Sequence, residues 1–367
     1  MTRTSPWWTD GDETIALVSE DGERIPHPEL DTMITDLTID DLRGLYRDMA
    51  VVRRIDTEAT ALQRQGELGL WAPLLGQEAA QVGSARALRT DDFVFSSYRE
   101  HAVAHLRGAK PVELLRMCRG TAHSGWDPLE IRMAPMQIII GAQTLHAVGY
   151  GMGIRNQESD DVAVTYFGDG ATSQGSVSEA MVFAASFNLP VLFFCQNNQY
   201  AISEPVGLQS RAPLAQRALG FGIPAIRIDG NDVLAALAAT RFALAHIREH
   251  GAPVFIEAIT YRMGPHTTSD DPSRYRPEQE LEDWRTRDPL LRLERLLAAA
   301  DESTGLRDLA DSESDEIARV LREECLALSD PDPEEIFAHV YSTEHRVIDR
   351  QRSFLSAYLG MFEEEGS

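Results

Sequence analysis

Lysine is almost missing from this chain. Lys110 is the only one, so arginine supplies nearly all of the 34 basic side chains, and these face 58 acidic ones for a formal charge of −24. So large a negative balance repels phosphate backbones and anionic lipid, which excludes nucleic acid and membrane surfaces as primary partners and leaves basic protein segments open. Cysteine is scarce too. Cys118, Cys195 and Cys325 are odd in number and far apart, which excludes a disulfide framework or a thiolate metal site and fits reduced, buried thiols. No apolar run reaches the roughly 18 residues of a membrane span, and the opening MTRTSPWWTDGDE has neither a basic n-region nor an apolar h-region. A cytoplasmic protein is expected. What is present is ordinary for a globular chain: 43% hydrophobic and 25% charged residues over 367 positions, enough for a large core and roughly two to three domain-sized units.

The pattern along the chain divides it into three parts. Residues 1–35 mix Trp7 and Trp8 with Gly, Pro and acidic residues without a period, and are expected to form an arm lying on another surface. From Thr38, with Asp41 three residues on, apolar residues at Leu42, Leu45, Met49, Val52, Ile55 and Leu62 predict a capped helix ending near Gly66. Further on, VAVTYF (162–167), a helical stretch VSEAMVFAASFN and LPVLFFC read as strand, helix, strand, with strands apolar on both faces. PAIRID (224–229), an alanine-rich helix from Asp232 to His250 and PVFIEAITYRM (253–263) repeat the pattern. Two such crossovers predict an α/β fold, a doubly wound, mainly parallel sheet flanked by helices, over residues 36–290. Beyond Gly264 a polar stretch, PHTTSDDPSRYRP, predicts a mobile loop. Residues 291–367 read as a helical extension with an acidic break at 301–316, a DPDPEE turn at 330–335 and a tail helix from Ile336 that packs on the body or on a neighbouring subunit.

In an open parallel sheet, ligands bind beyond the carboxyl ends of the strands. The first strand ends in Gly168-Asp169-Gly170 and the next in Gln196-Asn197-Asn198. One crossover separates Asp169 from Asn198, so adjacent strands would bring a carboxylate and an amide oxygen to one edge. That donor set suits a hard divalent cation such as Mg²⁺, which takes few protein carboxylates and shares the oxygens of a bound phosphate. Gly168 and Gly170 would let the backbone approach such a ligand, and the following helix would point its positive end at it.

GDGATSQG followed by VLFFCQNNQYAIS resembles the thiamine diphosphate signature of the alpha subunit in the decarboxylating dehydrogenase component of 2-oxo acid dehydrogenase complexes. APLLGQEAAQVGSA (72–85), SSYRE (96–100), IIIGAQ (138–143) and TYRMGPHTTSDDPSRYR (260–276) match in the same order, so the likeness covers residues 38–290. It implies that Asp169, Asn198 and the backbone oxygen of Tyr200 bind magnesium and that Tyr98 and Arg99 bind the diphosphate. It also implies that Ile138 and Ile140 meet the aminopyrimidine ring, and that Gly168, Gly170 and Ala171 lie at the phosphates. Gln196 departs from members with a basic residue there. His266 matches the catalytic histidine and His123 a second active-site histidine.

The resemblance further implies an oxidoreductase that decarboxylates a small 2-oxo acid, pyruvate or a branched-chain one, and passes the acyl group to a lipoyl disulfide. It would work as a heterotetramer of two alpha and two beta subunits, with the cofactor between them, the activating glutamate on beta, and a lipoyl acyltransferase core as partner. Alternatives are an acetoin dehydrogenase alpha subunit and a non-catalytic scaffold of the same fold. Three other patterns compete with bland readings. His101 and His105 have zinc-like spacing but read as core or surface histidines. Gly149, Gly151 and Gly153 mimic a dinucleotide fingerprint but read as close helix packing. Thr267 and Ser273 lie in a loop that kinases modify in some relatives but need no such explanation.

Overall fold

The computed structural model describes residues 13–363. Its centre is a sheet of five parallel strands, β1 (Phe93–Phe95), β2 (Ala163–Gly168), β3 (Val191–Asn197), β6 (Ala225–Asp229) and β7 (Val254–Ile259), hydrogen-bonded in the order β1-β2-β3-β7-β6. The two-residue strands β4 (Tyr200–Ala201) and β5 (Glu204–Pro205) make a separate hairpin. The strands have no polar face because both sides are buried. Val164, Tyr166, Leu192, Phe194 and Ile256 pack in one apolar layer, while Ala163, Phe167, Phe193, Cys195 and Phe255 pack in the other.

Helices cover both layers, as expected. α1 (Ile39–Arg64), α2 (Glu78–Ala87), α3 (His101–Leu106), α4 (Pro111–Arg119) and α9 (Val233–His250) close the first, and α5 (Ala142–Asn156), α6 (Gly175–Phe187) and α8 (Leu214–Gly220) the second; a one-turn helix, α7 (Val206–Gln209), follows the hairpin. α1 starts where read: the Thr38 hydroxyl accepts from Asp41 N–H and the Asp41 carboxylate accepts from Thr38 N–H, a reciprocal cap. Close packing accounts for Gly151, where a Cβ would sit 2.8 Å from Val191, but not for Gly149 or Gly153, whose Cβ positions meet nothing within 4 Å.

The described part of the arm, from residue 13 on, lies on this chain's own sheet. Ile15 N–H donates to Arg227 O at 3.0 Å and Asp229 N–H to Ile15 O at 2.8 Å, adding a parallel bridge outside β6. Leu17 and Val18 N–H then donate to Asp232 Oδ2 (2.6 and 2.7 Å), whose other oxygen caps α9 through Leu234 and Ala235 N–H. Trp7 and Trp8 lie outside the described residues. At the opposite edge Val94 N–H donates to Arg132 O and Ala134 N–H to Val94 O, a second single bridge outside β1.

After β7 come α10 (Glu278–Arg285), α11 (Pro289–Ala299), α12 (Leu306–Leu326), α13 (Glu335–Ala338) and α14 (Arg346–Glu363). The acidic break expected at 301–316 is corrected, because α12 runs through most of it. Leu306, Ala310, Ser314, Ala318, Leu321 and Cys325 recur at helical spacing and are buried, so the acids simply occupy the outer face. Leu293, Leu297, Leu306, Ala310 and Leu321 share one cluster with α1, so this part of the extension is continuous with the main core. α14 instead leaves Phe354, Tyr358, Met361 and Phe362 exposed. No helix among the described residues is long and apolar enough to cross a membrane.

Candidate active site

The parallel register sets Gly168 opposite Gln196, so the chain leaves β2 and β3 side by side and Asp169 and Asn198 meet just beyond. One terminal atom of the Asn198 carboxamide lies 3.2 Å from Asp169 Oδ1 and 3.0 Å from Tyr200 O. With Oδ1 in that place, Nδ2 donates to Gln77 Oε1 at 3.1 Å and three oxygens crowd together with no proton between them. Turning the amide over lets nitrogen donate to both oxygens instead. A six-coordinate ion with bonds of about 2.1 Å spaces neighbouring ligand oxygens about 3 Å apart, which matches the two separations about Asn198. The donors are one carboxylate, one amide and one backbone carbonyl; among the described residues no trio of His, Cys, Asp or Glu could hold a metal.

Local backbone strain brings the Tyr200 carbonyl round. Gln199 (φ 74°) and Ile202 (φ 56°) both adopt the left-handed region, which is costly for a β-branched residue. Arg262, buried beside them, pins the turn by donating to Tyr200 O (2.9 Å) and Ile202 O (2.6 Å). Gln209 donates to Asp169 Oδ2 at 2.9 Å. Burial pushes the Asp169 carboxyl up to about 6, against the pull of the Gln209 hydrogen bond. Beyond Asp169 the chain makes a 3₁₀ turn, Asp169–Ser173, before α6 begins at Gly175, so this tight turn rather than the α-helix presents its first N–H groups here. Gly170 is fixed by packing: a Cβ there would lie 2.7 Å from Ala201 Cβ.

The opposing wall comes from the turn before α3 and the loop after β7. Buried Arg99 donates through Nη1 to Pro73 O (2.5 Å) and through Nη2 to His266 O (2.9 Å), with His266 Nδ1 at 3.2 Å. A guanidinium has only donors, so Nδ1 accepts and the imidazole proton sits on Nε2. Burial, reinforced by the charges of Arg99 and Arg262, lowers the His266 pKa to about 4. The ring is therefore neutral at pH 7. The Tyr98 ring stands edge-on to it at 6.0 Å. The loop is bonded throughout, with His266 N–H donating to Asp270 (2.8 Å), Thr268 N–H to Trp71 O (2.9 Å) and Arg262 to the Tyr275 hydroxyl (2.9 Å).

Between floor and wall lies a cavity of about 470 Å³. Tyr98, Arg99, Ile138, Ile140, Gly168, Asp169, Gly170, Ala171, Asn198, Tyr200 and His266 all line it. His123 is not brought there. Gly120 ends α4 in a left-handed turn (φ 81°), and the exposed loop that follows carries His123 outside the lining. Gln196, which departs from the members with a basic residue there, donates to buried Glu100 at 2.6 Å. His101 Nε2 meets Ala72 O (3.0 Å) and its ring stacks on Trp71, while His105 Nδ1 meets Ala109 O (3.2 Å), so the two rings serve backbone carbonyls and not a shared zinc. Thr267 lines the cavity; Ser273 is exposed and donates to Asp271. Sequence reasoning missed Gln77, Gln209 and Arg262. Their partners lie far along the chain, and the available signal was that Gln77 falls inside the APLLGQEAAQVGSA match and Arg262 inside TYRMGPHTTSDDPSRYR.

The mouth is apolar and open: Ile138, Ile139, Ile140 and Ile202 are between 41% and 71% exposed.

Comparison with known proteins agrees with this geometry. The model of the Dehydrogenase E1 component family matches residues 46–325. A 3-methyl-2-oxobutanoate dehydrogenase subunit alpha of Mycobacterium tuberculosis is 44% identical over 353 residues, 95% of this chain and 94% of that one. Pyruvate dehydrogenase E1 component subunits alpha are 39% identical in Bacillus cereus (78% of this chain, 76% of that one) and 37% in Staphylococcus epidermidis (87% and 85%). A family match spanning most of the chain, together with relatives this similar over 76% to 94% of their length, places it in the dehydrogenase E1 component family, to which it belongs.

Proposed function

We propose that this chain is the alpha subunit of a cytoplasmic 2-oxo acid dehydrogenase, binds thiamine diphosphate with Mg²⁺, and acts on a branched-chain 2-oxo acid. The observation that carries the reading is that one terminal atom of the Asn198 carboxamide lies 3.2 Å from Asp169 Oδ1 and 3.0 Å from Tyr200 O, so that with its oxygen turned there the three could face one small cation. These three would hold the magnesium. Tyr98, Arg99 and the turn at Gly168, Gly170 and Ala171 would bind the diphosphate, and Ile138 and Ile140 the ring beyond it. When bound, thiamine diphosphate supplies a carbon nucleophile and an electron sink for decarboxylation.

His266 holds its proton on Nε2 at the cavity, where a hydrogen-bond donor can serve acyl transfer to a lipoyl group; positioned proton transfer is worth about 10²- to 10⁴-fold in rate. A beta subunit closes the apolar mouth, giving two alpha and two beta chains that serve a lipoyl acyltransferase core. The branched-chain preference rests on the 44% identical relative and on the apolar wall of Leu70, Trp71, Met117, Cys118 and Met136, which offers a branched alkyl group a place out of water. Coexpression with the beta subunit tests it: decarboxylation of 3-methyl-2-oxobutanoate should exceed that of pyruvate and acetoin, and a preference for either of the others would overturn the substrate assignment.

A further inference from the structure

Asp56 is a buried carboxylate on α1, beside the buried apolar residues Val52, Ile55 and Ala59. An isolated charge there would be expensive, so its bonds must account for it. Oδ1 accepts from the Trp71 indole N–H (2.8 Å) and Leu74 N–H (3.0 Å), and Oδ2 from Leu75 N–H (3.2 Å). Three donors and no acceptor favour the ionised form, against the burial that pushes this carboxyl up to about 7. The carboxylate thereby holds residues 71–75 at the turn that precedes α2, and three of that turn's residues reach the wall of the site. Trp71 accepts from Thr268 N–H (2.9 Å) and donates its own N–H to the Thr268 hydroxyl (3.1 Å). Pro73 O accepts from Arg99, and Leu75 O from Met263 N–H (3.0 Å). Arg99 in turn holds both the carbonyl and Nδ1 of His266.

We propose that Asp56 is a positioning residue for the reaction: it anchors the 71–75 turn, and through Arg99 and Thr268 that turn sets the place and tautomer of His266. Asp56 is absent from the cavity lining, so it acts only through its partners. The inference rests on the reading of His266 as the reactive histidine.

The test uses the assembled enzyme carrying Asp56→Asn, which keeps the volume but turns an N–H₂ towards an N–H donor. Hydrogen exchange of peptides covering 70–76 and 264–271 should speed up by about ten-fold while strand peptide 191–197 stays at the wild-type rate. With 3-methyl-2-oxobutanoate, kcat should fall between about ten-fold and 10²-fold with KM nearly unchanged, since a misplacement of about 1 Å can cost 10²-fold. Thr268→Val, which removes one link, should give the same signature at smaller amplitude. Wild-type exchange at 264–271 in a folded Asp56→Asn enzyme, or faster exchange with unchanged kcat, would overturn the proposal. If Asp56→Asn does not assemble, Trp71→Phe and Thr268→Val decide by the same two readouts. His266→Ala, run alongside, separates the two readings. An active His266→Ala defeats the role of His266, whereas an inactive one beside a wild-type Asp56→Asn defeats only the positioning role.

Discussion

The floor and the wall of the cavity face the same space but are built differently. Asp169 and Asn198 follow directly on β2 and β3, so two ladders of backbone hydrogen bonds fix them. His266 stands well past the end of β7 and is placed by side chains: Arg99 at its ring and carbonyl, Asp270 at its N–H, and the neighbouring Thr268 against Trp71. A floor built from strand ends inherits the rigidity of the sheet. A wall built from side-chain bonds can be displaced without unfolding anything, which makes placement and folding separable there and inseparable at the floor.

The largest effect is expected at the floor. Asp169→Ala should abolish magnesium-dependent binding of thiamine diphosphate while circular dichroism stays native, because the residue lies beyond its strand; unchanged affinity by calorimetry would remove the site. His266→Ala should keep cofactor affinity and lose lipoyl acylation by about 10²- to 10⁴-fold, so a fully active variant would erase the distinction between binding floor and reacting wall. Limited proteolysis sharpens the contrast further. Cleavage within 264–277 should be faster without cofactor and suppressed by it, and equal rates in both states would mean that the wall is as rigid as the floor.

The smallest effect is a titration. Burial and two guanidiniums depress the folded pKa of His266 to about 4 from 6.5, so between those values the unfolded chain binds a proton that the folded chain refuses. This residue therefore opposes folding increasingly as the pH falls from 6.5 towards 4, and costs nothing above 6.5. Imidazole ¹⁵N shifts should show the Nε2–H tautomer at pH 7, and a midpoint near 6.5 would contradict the burial.

The same contrast explains what could be read before any coordinates. VAVTYF and LPVLFFC announced buried strands because both faces are apolar, and the single crossover between Asp169 and Asn198 announced their meeting. Gln77, Gln209 and Arg262 complete that floor through long-range side-chain contacts that leave no periodic trace. α12 was hidden by counting acids in 301–316 instead of following Leu306, Ala310, Ser314 and Ala318 along one stripe. His123 left no trace of either kind: it sits on the segment after the left-handed turn at Gly120, outside the cavity lining, and only the resemblance singled it out.

The single bridges outside β6 and β1 have a consequence for solubility. A bare lateral strand offers unpaired amides on which a stray chain can template itself, the first step towards aggregation. Ile15 and the Arg132–Ala134 segment each engage one such amide, Asp229 N–H and Val94 N–H, so among the described residues both lateral strands are blunted where a templating chain would begin.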